Sequence, residues 1–144
     1  MRKFPNLGSL FTIAALASLG TTAAADQINT SGTVCQNFNA SQALDIDYLA
    51  NGVRNINPAA RPVICSIPRS PLPPGRAARF DVDGVNAAGT TTLCTVTIGG
   101  HSVTFSMPGS ATFPANMVAA FDYASALCTL PGNAGTVVFG VTSE

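Results

Sequence analysis

The sequence predicts an all-β protein: an antiparallel β-sandwich of Ig-like or jelly-roll type, with about eight strands and two disulfides. Three observations predict it. The stretch Thr91 to Met107, TTLCTVTIGGHSVTFSM, reads as a β-hairpin closed by Gly99-Gly100. Short runs of alternating apolar and polar residues recur along the chain, separated by proline and glycine turns. Four cysteines, Cys35, Cys65, Cys94 and Cys128, lie in a chain that begins with export features.

Those features occupy residues 1–25. Arg2 and Lys3 precede an apolar run from Leu7 to Leu19, and Ala23-Ala24-Ala25 forms an A-x-A cleavage pattern ahead of Asp26. The run is shorter than the roughly 20 residues that span a bilayer. The expectation is a Sec-type signal peptide and a single mature domain, residues 26–144, secreted or periplasmic and without a membrane span. Lys3 is the only lysine, so the mature part carries Arg54, Arg61, Arg69, Arg76 and Arg79 against seven acids. Nucleic acid needs clustered cations to neutralise phosphates, and this balance argues against it.

In the oxidising compartment that export implies, an even cysteine count reads as two disulfides. The cysteines are widely spaced, no CxxC is present and His101 is the only histidine, so zinc, which prefers close ligand pairs, is the weaker reading. Three pairings are possible. The sequential one, Cys35–Cys65 and Cys94–Cys128, is favoured because each bond ties a strand to a later one.

The elements follow in order. Asp26 to Phe38 is a weak strand or an extended arm. N-x-S/T sequons stand at Asn29 and Asn39. Ala43 to Leu49 alternates, placing Leu44, Ile46 and Tyr48 inward, and Asn51-Gly52 turns the chain into a return strand from Val53. Arg61 to Ile67 places Val63, Cys65 and Ile67 on one face, with bordering prolines that suit a short or edge strand. Pro68 to Arg76, PRSPLPPGR, is an extended loop that can be neither helix nor central strand. Gly75 to Gly84 carries Ala78, Phe80 and Val82 inward. In the hairpin Ile98 should oppose His101, Val96 oppose Val103, and Cys94 oppose Phe105, so that the apolar residues share one face. Pro108 to Asn116 reads as a loop, Met117 to Tyr123 as a strand with Met117, Ala119, Phe121 and Tyr123 inward, and Ala126 to Leu130 as another. Thr136 to Thr142 closes the chain with Val137, Phe139 and Val141 inward.

Short motifs carry a resemblance. Cys65-Ser66-Ile67-Pro68-Arg69, Cys94-Thr95, Cys128-Thr129-Leu130-Pro131 and the terminal Glu144 together resemble a loosely defined group of small exported bacterial proteins of unknown function. The resemblance implies a two-disulfide β-sandwich and supplies no activity.

Candidate chemistry is sparse. His101 is the only possible imidazole base, no G-x-S-x-G elbow is present, and beside a Gly-Gly turn it reads as a strand-end residue, so no catalytic residue and no cofactor are expected. Asp81-Val82-Asp83-Gly84 with Asn86 resembles a calcium loop without an oxygen ligand at position 85, and Thr92 stands where the bidentate glutamate would be. A looser calcium site, shared with Asp45 or Asp47, stays open. The first expectation is a non-enzymatic protein with a binding or structural role and an unidentified envelope or extracellular partner. As an assembly subunit it would lend its N-terminal strand to a neighbour's sheet. A serine-protease inhibitor is the second, acting through the stiff loop of Arg69, Ser70, Pro71 and Arg76. A carbohydrate-binding module is the third, weakened by the absence of tryptophan and by the inward phase of Tyr48 and Tyr123.

Overall fold

The computed structural model describes residues 27–133 and 135–144; the segment expected to be a signal peptide, residues 1–25, lies outside them. The described residues form eleven strands in two antiparallel sheets. In chain order these are β1 (Ile28–Ser31), β2 (Cys35–Asn37), β3 (Ile46–Leu49), β4 (Gly52–Asn55), β5 (Arg61–Ile67), β6 (Ala78–Val85), β7 (Thr92–Ile98), β8 (His101–Met107), β9 (Gly109–Phe113), β10 (Ala124–Leu130) and β11 (Val137–Ser143). One sheet has the order β3-β4-β11-β6-β9, with β1 also paired to β11. The other runs β2-β5-β10-β7-β8.

The expected hairpin is present residue for residue. Ile98 pairs with His101, Val96 with Val103 and Cys94 with Phe105. Gly99 and Gly100 both have positive φ, 55° and 82°, the backbone a two-residue hairpin turn requires. On the outer face the hydroxyls of Thr95 and Thr104, and of Thr97 and Ser102, meet at 2.8 Å. Cys94, Val96 and Ile98 are fully buried, as are Ala126, Cys128 and Leu130 of β10 and Ala78, Phe80 and Val82 of β6. Phe80 and Phe113 meet edge to face with ring centroids 5.9 Å apart, in the same core cluster. Both favoured disulfides form, each between directly opposed residues: Cys35–Cys65 joins β2 to β5, and Cys94–Cys128 joins β7 to β10. The five-stranded sheet is thus stapled twice.

Several expectations are corrected, each for a physical reason. The N-terminal segment, expected as one weak strand or an extended arm pinned by Cys35, is two strands. β1 joins one sheet and β2 the other, with a 3-10 turn, Gly32–Val34, between them. Gly32 lies so close to the carbonyl of Val138 that a Cβ would strike it. The strand foreseen as a donor to a neighbour is paired in cis with β11. Leu44 is not inward: Asn39 accepts from the backbone N of Ser41 and caps a 3-10 turn, Ala40–Asp45, so the strand begins only at Ile46 and Leu44 is 92% exposed. Tyr48 keeps its phase but sits on the outermost strand, so it is 48% exposed, and its hydroxyl bonds the backbone N and side chain of Asn37.

β5 is no edge. It lies between β2 and β10, and Pro62 is tolerated because its carbonyl accepts from Phe38 N at 3.1 Å. In an antiparallel strand N and O of one residue point the same way, so the missing N–H falls outside the β10 ladder. The supposed loop from Pro108 contains β9, paired with β6 and burying Ala111 and Phe113. The last strand starts one residue later and has a bulge between Val138 and Gly140. Val138 and Val141 therefore both face inward, while Val137 is only half-buried and Phe139 is exposed.

Met117 to Tyr123 is not a strand. A 3-10 turn, Ala115–Met117, leads into a loop that Asp122 closes on itself, its carboxylate Oδ2 accepting from Ala119 N at 2.7 Å. Phe121 and Tyr123 consequently point outward. Among the described residues no helix is long and apolar enough to cross a membrane.

Candidate functional site

One end of the sandwich gathers two loops that are distant in sequence. β5 delivers Pro68 to Pro71 there, and the strand paired with it, β10, receives the chain from Ala120 to Tyr123; Ala124 opposes Ile67 directly. Arg69 locks the loops together. Its Nε donates to the carbonyl of Asp122 and its NH2 group to the carbonyl of Ala119, both at 2.7 Å. Leu72 N donates to Ala120 O at 3.4 Å, and Ser143 Oγ donates to Pro68 O at 2.8 Å, fastening the proline loop to β11. Partial burial holds the Arg69 guanidinium below its usual pKa, opposed by the nearby Asp122 carboxylate. It remains a cation at neutral pH.

The result is a stiff ledge. Phe121 is 80% exposed and Tyr123 is 96% exposed. A depression of about 310 Å³ lies against them, lined among others by Arg69, Pro71, Asp122 and Ile67. A second, of about 510 Å³, also has Tyr123 in its wall, together with Val34, Ser66, Ala124 and Ser125 among others.

The structure separates the residues of the expected binding loop. Arg69 and Pro71 line the depression, with Ser70 half-buried between them, whereas Arg76 is exposed in a turn beyond Pro73 and does not line it. The aromatic residues of the ledge escaped the reading by periodicity, since MVAAFDY alternates like a strand. The available signal was Asp122, a turn-forming residue type in the middle of the run; its carboxylate accepts from Ala119 N, three residues back.

The other candidates lie apart. His101 is exposed at the start of β8, away from both depressions. Asp81 is ion-paired with Arg79 at 2.9 Å, and this pairing, with Glu144 nearby, raises the arginine pKa. Asp83 accepts from Gly84 N. Asp47 pairs with Arg54 at 2.7 Å, and Asp45 with Arg61 at 2.6 Å. β4 and β11 separate β3 from β6, so the four carboxylates are not brought together for a shared calcium ion.

No family model matches the chain, and no curated protein matches it. The group suggested by the short cysteine motifs is therefore without a matching family. Among solved structures, the chain is similar to a xylan-binding module, CBM15, at 16% identity over 83% of this chain and 96% of that one, with a TM-score of 0.47. It is also similar to a Podospora anserina GH26-CBM35 β-(1,4)-mannanase, at 7% identity over 82% of this chain and 27% of that one, with a TM-score of 0.38. Neither likeness identifies a family.

Proposed function

We propose that this is an exported, non-catalytic binding module, and that its ligand is a glycan held at the ledge of Phe121 and Tyr123. The observation that carries this reading is the pair of outward aromatic rings on a loop immobilised by Arg69. Two large rings exposed on one depression form a local apolar patch of the kind that marks binding sites. Planar apolar rings suit a sugar, which has an apolar C–H face as well as a polar rim. Immobilising the loop in advance lowers the entropic cost of binding. The polar groups here are committed to holding the loop: Arg69 to two carbonyls, and one Asp122 oxygen to Ala119 N. That arrangement serves binding rather than proton transfer. Two buried disulfides suit an oxidising compartment.

The inhibitor reading of the same loop meets an obstacle. A trypsin-like protease would need Arg69 extended into its specificity pocket, and the guanidinium is already bonded. Incubation with trypsin should show no inhibition.

Affinity electrophoresis of the mature protein through gels containing neutral polysaccharides tests the glycan reading. Retardation by at least one of them is expected, with Tyr123→Ala weakening it by about ten- to a hundredfold, the worth of burying one such side chain. Migration unchanged in every gel would defeat the proposal.

A further inference from the structure

We infer that the ledge is one end of a longer track that takes an extended, uncharged polysaccharide chain rather than a single sugar; this rests on the glycan reading above. The two depressions beside Tyr123 share Ile67 and Pro68 as well as Tyr123 itself, so they adjoin. The depression of about 510 Å³ in turn adjoins a third, of about 320 Å³, at Thr30, on the outer face of the six-stranded sheet. The proposed track follows these adjoining depressions from Phe121, past Tyr123 and Ser125, over β1, to Phe139.

The far end has its own recognition chemistry. The bulge in β11 turns Phe139 outward and places Gly140, which has no side chain, beside it. Around them stand Asn29, Asp83 and Thr142. Asn29 Oδ1 accepts from Thr142 Oγ1 at 2.8 Å and from Gln27 Nε2 at 3.4 Å, while its Nδ2 has no partner among the described residues. One Asp83 oxygen accepts from Gly84 N, leaving the other to accept from a ligand hydroxyl. An exposed ring beside a carboxylate repeats the pairing of Tyr123 with Asp122 at the first end, and the Asn29 amide adds a donor.

Charge selects the polymer. Among the residues lining the three depressions Arg69 is the only cation, and it is bonded to two carbonyls, while Asp83 and Asp122 are carboxylates. A polyanion would be repelled here. A neutral chain, with ring faces for Phe121, Tyr123 and Phe139 and hydroxyls between, matches the track along its length.

Calorimetric titration with a length ladder of one neutral linear oligosaccharide, from disaccharide to octasaccharide, tests this. Affinity should rise by more than about tenfold along the ladder. Phe139→Ala, and separately the exposed polar variant Asn29→Ala, should weaken the longest ligand by about tenfold and leave the shortest unchanged, with wild-type thermal unfolding confirming the fold. Equal affinity for short and long chains, untouched by both variants, would overturn the extended track while leaving the Phe121–Tyr123 site intact. Tighter binding of an acidic polysaccharide such as polygalacturonate would overturn the neutral assignment. Failure of every oligosaccharide would overturn the track together with the glycan reading.

Discussion

Arg69 Nε donates to the backbone carbonyl of Asp122 at 2.7 Å, across 53 residues of sequence. The same guanidinium reaches Ala119 O, while Asp122 Oδ2 accepts from Ala119 N. One side chain thus holds the turn that presents Phe121 and Tyr123. Hydrogen bonds to a charged group contribute about 1.5–3 kcal/mol when partly buried. Arg69→Gln should lower the melting temperature by a few degrees and weaken glycan binding by about tenfold or more. Arg69→Lys should restore little, because an ammonium lacks the planar fork that serves two carbonyls. Wild-type binding by Arg69→Gln would remove the arginine from the account.

The hairpin turn supports the same loop. Gly99 has φ of 55°, and a Cβ there would collide with Asp122 Oδ2. Gly99→Ala should cost about 1–2 kcal/mol from the backbone alone, with further loss from the displaced carboxylate. Gly100 also has positive φ but faces open space, so Gly100→Asn should be nearly neutral. Chemical denaturation of the two variants makes the comparison; equal effects would separate the hairpin from the loop.

Acid should weaken the fold through Asp45. Its carboxyl is held below the usual carboxylate pKa, first by the hydrogen bond from Arg61, then by that from Asn57. A carboxylate whose folded pKa is depressed adds stability that is present above its unfolded pKa, near 4, and lost as pH falls through the folded value. Wild type should exceed Asp45→Asn in denaturation midpoint at neutral pH, and the gap should narrow below about pH 4. Salt should narrow it too, since both partners reach solvent.

The disulfides close loops with sequence separations of 30 and 34. Chain-entropy arguments assign each about 3–4 kcal/mol, drawn mainly from the unfolded state. Replacing Cys94 and Cys128 together by alanine should lower stability by about that amount while leaving the sheet order unchanged. A double variant as stable as the wild type would show that the β7–β10 ladder needs no staple.

How much of this was legible in the sequence depended on range. The hairpin could be read because a two-residue turn and two local alternations determine its register; the even cysteine count indicated two disulfides, and the sequential pairing favoured among three is the one that forms. Leu44 and Phe139 were misplaced by a capping asparagine and by a bulge, neither of which periodicity registers. β9 was hidden because its inward residues are Gly109, Ala111 and Phe113, of which only one is large, between two prolines. The ledge was hidden for a different reason: Phe121 and Tyr123 alternate like strand residues, whereas the Asp122 turn, held from a distant loop by Arg69, points them outward.

The most direct test of the central claim uses Tyr123 itself. The chain contains no tryptophan and only two tyrosines, so Tyr48→Phe leaves Tyr123 as the sole strong fluorophore. Titrating that variant with the neutral polysaccharide that retards the wild type in a gel should produce a saturable change in emission, as the exposed ring stacks on sugar. Retardation with no change in Tyr123 emission would place the ligand elsewhere and contradict the account.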